Sequence, residues 1–286
     1  MSLVRVLVTS RVTLSHLFEV DGVATDAAAA VNVAVKRLDG TTVTTGPATV
    51  GTVGDGIYTF DLPESATLDT YTVDWVGAFG GASVTVRDYV EIVGGFLFGL
   101  AEARSMRPAL DPTKYPLSVL AEKRIEVEQI AERIAGVAFV PRFERVRLSG
   151  RGTNQLVMPR IALRALRAVR VDGTDWAAPD VAAVAVSSSG VLTRTSGAAW
   201  PAGWDNIILE IEHGLDMAPE EIRTAGKVHL RSRLTMGDTS VPYRAISFTS
   251  GDGGVYRLST PSRDRTGIPD VDAAYTGQQI DAGGFA

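Results

Sequence analysis

Along the first third of the chain, apolar and polar residues alternate. "LVRVLVTS", "NVAVKRL", "YTVDWV" and "SVTVRDYVEIV" place successive side chains on opposite faces with a period of two, the pattern of strands that rest one face on a core. Turn signals separate them: Asp21-Gly22, Asp39-Gly40, Gly51, Gly54-Asp55-Gly56 and Gly80-Gly81. Strands rich in Val and Thr at spacings of about ten residues predict a β-sandwich over residues 1–94. Tyr58, Tyr71 and Trp75 are its expected aromatic core.

Gly94-Gly95 ends this pattern, and the period becomes helical. "FLFGLAEARSM" predicts a short helix, and "RPALDPTKYP" a connector broken by Pro108, Pro112 and Pro116. The long helix follows in "LSVLAEKRIEVEQIAERIAG", where Leu120, Val127, Ile130, Ile134 and Val137 fall close to a three-four repeat and form one apolar stripe. Pro116 suits its first turn, Gly136 its left-handed exit, and Pro141 prevents continuation. Arg124 and Glu128 are four apart, as are Gln129 and Arg133, on faces suited to water or charged neighbours. Short strands are predicted in "FERVRLSG", "NQLVMP", "ALRAVRVDG", "VAAVAVSSSGVLTRT" and "NIILEIEHG". A second helix is predicted in "MAPEEIRTAGKVHLRSRL", with Glu220 and Glu221 in its first turn and Arg231 and Arg233 in its last, complementing the dipole. "ISFTSGDGGVYRLST" reads as two strands about a glycine turn, and "GIPDVDAAYTGQQI" as one or two helical turns before a loose end.

Composition narrows the function classes. The chain is 45% hydrophobic and 21% charged, enough for cores and against global disorder. It has no cysteine, hence no disulfide framework, thiolate nucleophile or cysteine-bound zinc. No run of 18 apolar residues predicts a membrane span, and "MSLVRVLVTS" lacks the build of a signal peptide. The net charge of −5 is unevenly placed: residues 1–95 hold five Lys/Arg against eleven Asp/Glu, the remainder 23 against 22. Such a front half is poorly suited to grasping phosphate backbones.

Candidate chemistry is sparse. His16, His213 and His229 are scattered, so no metal site is expected; His213 reads as a surface or turn residue. There is no G-x-S-x-G elbow, and Ser187 to Ser189 read as turn residues. "SGDGGVY" lacks the lysine of a phosphate loop, and Asp270 and Asp272 read as openers of a short helix. Seven arginines gather at Arg145, Arg147, Arg151, Arg160, Arg164, Arg167 and Arg170. With no aromatics between them to stack bases, they read as the outward edges of strands, with an acidic partner protein left open. No catalytic residue and no cofactor are expected.

Two resemblances fit this grammar. "GDGIYTFDLP" followed by "DTYTVDWVG" resembles the later strands of immunoglobulin-like or fibronectin-like modules. "DPTKYPLSVLAEKRIEVEQIAERIAGVAFVPR", "RALRAVRVDGT", "WPAGWDNIILEIEHGLDMAPEEIRTAGKVHLRSRL" and "PYRAISFTSGDGGVYRLSTPSRDRTGIPDVDAA" resemble, in that order, the head–tail adaptor proteins of long-tailed double-stranded DNA bacteriophages. These are also called connector or head-completion proteins, here of the HK97 connector type. The resemblance covers about residues 96–280 and leaves the front module as an added immunoglobulin-like domain.

The resemblance implies a multidomain chain: the sandwich at 1–94, an α+β adaptor domain of helices with inserted β-hairpins at 95–254, and an extended C-terminal portal-docking segment at 255–286. It implies a structural virion protein made in the host cytoplasm and placed at the capsid vertex. There a ring, usually dodecameric, would sit beneath the portal, join the stopper or tail-completion protein, and let DNA pass without sequence-specific binding. Tyr256, Leu258, Ile268 and Val271 are the portal-interface candidates, and Arg124, Glu128 and Arg133 the ring-interface candidates. Removing residues from Val255 onward is expected to leave a folded protein that no longer joins portal. The alternative is a glycan- or cell-surface-binding sandwich anchored to an assembly, with Trp75, Phe79 and Tyr89 as an aromatic platform.

Overall fold

The computed structural model describes residues 3–107, 109–235, 245–249, 255–258, 260–262 and 265–278. Strand dominates, with few helices, and the described residues form three hydrophobic cores.

The first core belongs to the front domain. Its strands are β1 (Leu3–Leu7), β2 (Val12–Leu17), β3 (Glu19–Val20), β4 (Val23–Ala24), β5 (Asn32–Arg37), β6 (Thr42–Pro47), β7 (Thr49–Val50), β8 (Ile57–Leu62), β9 (Asp69–Phe79) and β10 (Ala82–Val93). One sheet runs β1-β10-β9-β5-β6 and a second β2-β8-β7, with β3 and β4 a separate small hairpin. All pairings are antiparallel except β1 with β10. Val33, Val35, Tyr71, Val73 and Trp75 from one sheet meet Leu14, Tyr58 and Leu62 from the other, as the alternating pattern requires. His16 lies against Trp75 at 5.6 Å and reaches Asp88 at 2.8 Å, so it serves this packing.

The second core is helical. It joins α1 (Leu100–Ser105) and α2 (Leu117–Ala135) to two later helices. Pro116 is the N-cap of α2 rather than a residue of its first turn, and Gly136 closes it with φ of 72°, a conformation that suits a residue without Cβ.

The third core lies in a β unit inserted between the helices. It holds β11 (Arg142–Gly150), β12 (Gln155–Val157), β13 (Leu163–Val171), β14 (Thr174–Asp175), α3 (Ala178–Ala182), β15 (Val184–Ser187), β16 (Val191–Arg194) and β17 (Gly203–His213). Sheets β11-β17-β13-β14 and β12-β16-β15 pack together over Leu192, Trp200, Ile207 and Leu209. Ser187 and Ser189 sit at the β15–β16 turn and bond each other at 2.7 Å.

The chain then returns to the helical core through α4 (Glu220–Leu234), the hairpin β18 (Ala245–Thr249) and β19 (Val255–Leu258), and α5 (Pro269–Gly277). The helical turns read in this stretch are α5, but the extended docking segment implied by the resemblance is not what residues 268–277 form: Ile268, Val271, Ala274 and Tyr275 are buried in the helical core at 0–5% exposure. Burial of Ile268 and Val271 alone contributes about 3–6 kcal/mol, against a typical domain stability of about 5–15 kcal/mol. Removal from Val255 onward therefore damages the fold as well as any docking. Asp272, in the first turn of α5, accepts from Thr266 and Gly267 N–H at 2.6 and 3.1 Å and so fastens the loop that leads into the helix.

A buried charge junction as the candidate functional site

The three units meet at a cluster of arginines and glutamates. Arg5 interrupts the apolar run of β1 and points where an outward side chain would meet water. Helix α2 covers that face, so the Arg5 side chain is only 2% exposed. Its Nε donates to Glu91 Oε2 on the neighbouring β10 at 2.8 Å, and its Nη1 to Glu128 Oε2 on α2 at 2.6 Å. Arg142 opens β11 and completes the joint, its Nη1 donating to Glu91 at 3.0 Å and its Nη2 to Glu132 at 2.5 Å. Thus two guanidinium groups link sandwich, helix and inserted β unit through three carboxylates.

Local geometry places the partners. Arg124, Glu128 and Glu132 recur every four residues, so they share one face of α2. Glu128 is 1% exposed and also accepts from the Leu97 N–H at 2.8 Å. Arg124 donates to the Phe98 carbonyl at 3.3 Å and lies 3.4 Å over the Phe96 ring. The backbone closes equally tightly: Gly94 N–H donates to Pro141 O at 2.9 Å, and a Cβ on Gly94 would fall 2.7 Å from the Pro141 ring.

Burial governs the electrostatics. It pushes the Glu132 carboxyl up to about 7, with Glu128 and Glu91 adding to the rise and Arg142 and Arg5 opposing it. At Glu144 burial also acts upward, but it is outweighed: His213 and Arg160 hold that carboxyl down to about 2. Arg160 grips Glu144 with two bonds of 2.6 and 3.1 Å, and His213 Nε2 lies 3.2 Å away. His213 is therefore a buried partner at the end of β17, not a surface or turn residue. A cleft of about 490 Å³ opens beside the junction, bordered by Glu91, Glu132, Arg133, Arg142, Glu144 and Arg160.

The ring-interface candidates are thereby divided. Arg124 and Glu128 are buried within the subunit, at 7% and 1% exposure, and cannot face a second copy as placed; Arg133 is exposed at the cleft rim. Of the portal candidates, Ile268 and Val271 are core residues, Leu258 is 41% exposed at the end of β19, and Tyr256 belongs to β19 with its side chain outside the described residues. The aromatic platform does not form: Trp75 and Phe79 are buried at 1% and 7%, and Tyr89 is half-buried. The arginine cluster is largely neutralised, with Arg145 beside Glu210, Arg160 on Glu144, Arg164 on Asp216, Arg167 near Glu212 and Arg170 on Asp175. Arg167 also donates to the Leu68 carbonyl, a further tie to the sandwich.

Sequence reasoning missed Arg5, Glu91, Glu132 and Arg142. The available signal was a lone arginine in an apolar strand together with carboxylates one helical turn apart. No family model matches the sequence, and no curated protein matches it. Among solved structures, it is similar to a chain of the "Neck of empty GTA particle computed with C6 symmetry", with 13% identity, a TM-score of 0.41, and coverage of 63% of this chain and 89% of that one.

Proposed function

We propose that this chain is a structural virion subunit, a head-to-tail adaptor that forms a ring beneath the portal of a long-tailed phage and carries an added immunoglobulin-like front domain. The observation that supports this most is the use made of the charged groups where the three units meet. At the junction, three arginines and three glutamates are committed to one another and to backbone groups. That arrangement fixes domains and holds no nucleophile beside a base. The chain has no catalytic role in this reading.

The ordered resemblance over residues 96–280 points the same way, since its segments fall on α2, β13, β17, α4 and α5. A ring needs heterologous contacts, in which one surface of a subunit fits a different surface of the next. Domains held in fixed register present such surfaces reproducibly. Neutralised arginines suit a channel wall that DNA slides past. The portal above and the stopper or tail-completion protein below are the partners. Imaging of intact particles tests the reading: density for this chain at the capsid vertex is expected, and its absence from the neck would overturn the assignment.

A further inference from the structure

The front domain ends far from the junction in a surface of unusual make-up. The β9–β10 ladder runs from Asp69 opposite Ile92, near the junction, to Phe79 opposite Ala82, about 33 Å away at 3.3 Å per residue. The Phe18 ring lies 4.7 Å from Phe79, which places the end of β2 and the loops beside it at this far apex.

Apolar side chains stand out of the apex. Leu17 and Ile57 face each other across the β2–β8 pair, 45% and 38% exposed. Val20 and Val23 pair across the small hairpin, and Val53 tops the β7–β8 loop at 84% exposure. The frame beneath them is fixed. Phe18 N–H donates to Gly56 O, the Asp26 carboxylate accepts from Gly54 and Gly56, and Asp55 accepts from Thr52 and Ile57. Single exposed valines are ordinary; a cluster held outward by a bonded frame marks a contact site.

Charge selects the partner. Residues 12–35 and 38–86 contain no Lys or Arg, while Glu19 and Asp21 are exposed at the apex and Asp26 and Asp55 lie in the frame beneath it. Such a surface repels nucleic acid and anionic bilayers. No exposed aromatic side chain is present there to stack on a sugar. We propose that the apex is a docking surface for a protein partner that presents apolar side chains ringed by Lys and Arg. This goes beyond the ring reading and does not depend on it.

The full-length protein titrated with a synthetic amphipathic Leu/Lys peptide, and with its Leu/Glu counterpart, tests the proposal by hydrogen exchange. The Leu/Lys peptide is expected to bind and to protect amides in 17–23 and 51–57. Affinity is expected to fall at least tenfold in V53N and in E19K, both exposed positions, with unchanged melting temperatures. Equal binding of the Leu/Glu peptide, protection elsewhere, or unaltered affinity in both variants would overturn it. So would apex-dependent self-association in sedimentation, which would make a second copy the occupant. Ring formation is read separately, by particle size, so neither failure is mistaken for the other.

Discussion

At the scale of single residues, the junction turns on Arg5. Removing one member of a buried ion pair leaves its partner charged and unsolvated, which costs about 3–5 kcal/mol. R5L is therefore expected to lose about that much in chemical denaturation, because Glu128 has only the Leu97 N–H and the more distant Arg124 to turn to. The double variant R5L/E128L should recover much of the loss; a loss under about 1 kcal/mol in R5L would contradict the geometry. Glu132 gives a second test. Its carboxyl is raised to about 7 in the folded chain from an ordinary 4.5, chiefly by burial. The unfolded chain thus releases its proton first, and stability falls as pH rises from about 4.5 to about 7. E132Q should remove that slope, by about 3 kcal/mol across the window. Glu144 acts with the opposite sign: its depressed value means stability present above about 4.5 and lost as pH falls toward about 2. Denaturation curves from pH 3 to 8 separate the two.

At the scale of elements, much of the fold was legible and the reasons for the exceptions are physical. Alternation located β1, β5, β9 and β10, whose sheet buries one face, but not β2 or β6. Pro116 and Gly136 bounded α2 within a residue, because their effects are local. The face of α2 was misread. An Arg124–Glu128 pair four apart looks the same whether water or another domain covers it, and the cover here comes from β1, more than a hundred residues away. Helix α5 was underestimated from its polar neighbours, although Ile268, Val271 and Tyr275 already carried three-four spacing. A chain ending at Thr266 should therefore destabilise the helical unit by at least about 3–6 kcal/mol, seen as loss of amide protection in α2 and α4. Protection of the sandwich strands should persist. Undiminished protection in α2 and α4 would contradict the packing.

At the scale of the whole molecule, three hydrophobic cores meet at one cluster of buried charge. Duplex DNA should show no measurable binding at physiological salt by fluorescence anisotropy, since five of the seven clustered arginines, Arg145, Arg160, Arg164, Arg167 and Arg170, already lie on carboxylates. A tight, salt-sensitive complex would contradict that. In the proposed function, copies of this chain associate in a closed ring on the portal. Native mass spectrometry of the full-length chain mixed with purified portal rings tests it most directly. A single species with about twelve copies of this chain per portal ring is predicted, and free protomers beside unoccupied portal rings would contradict the account.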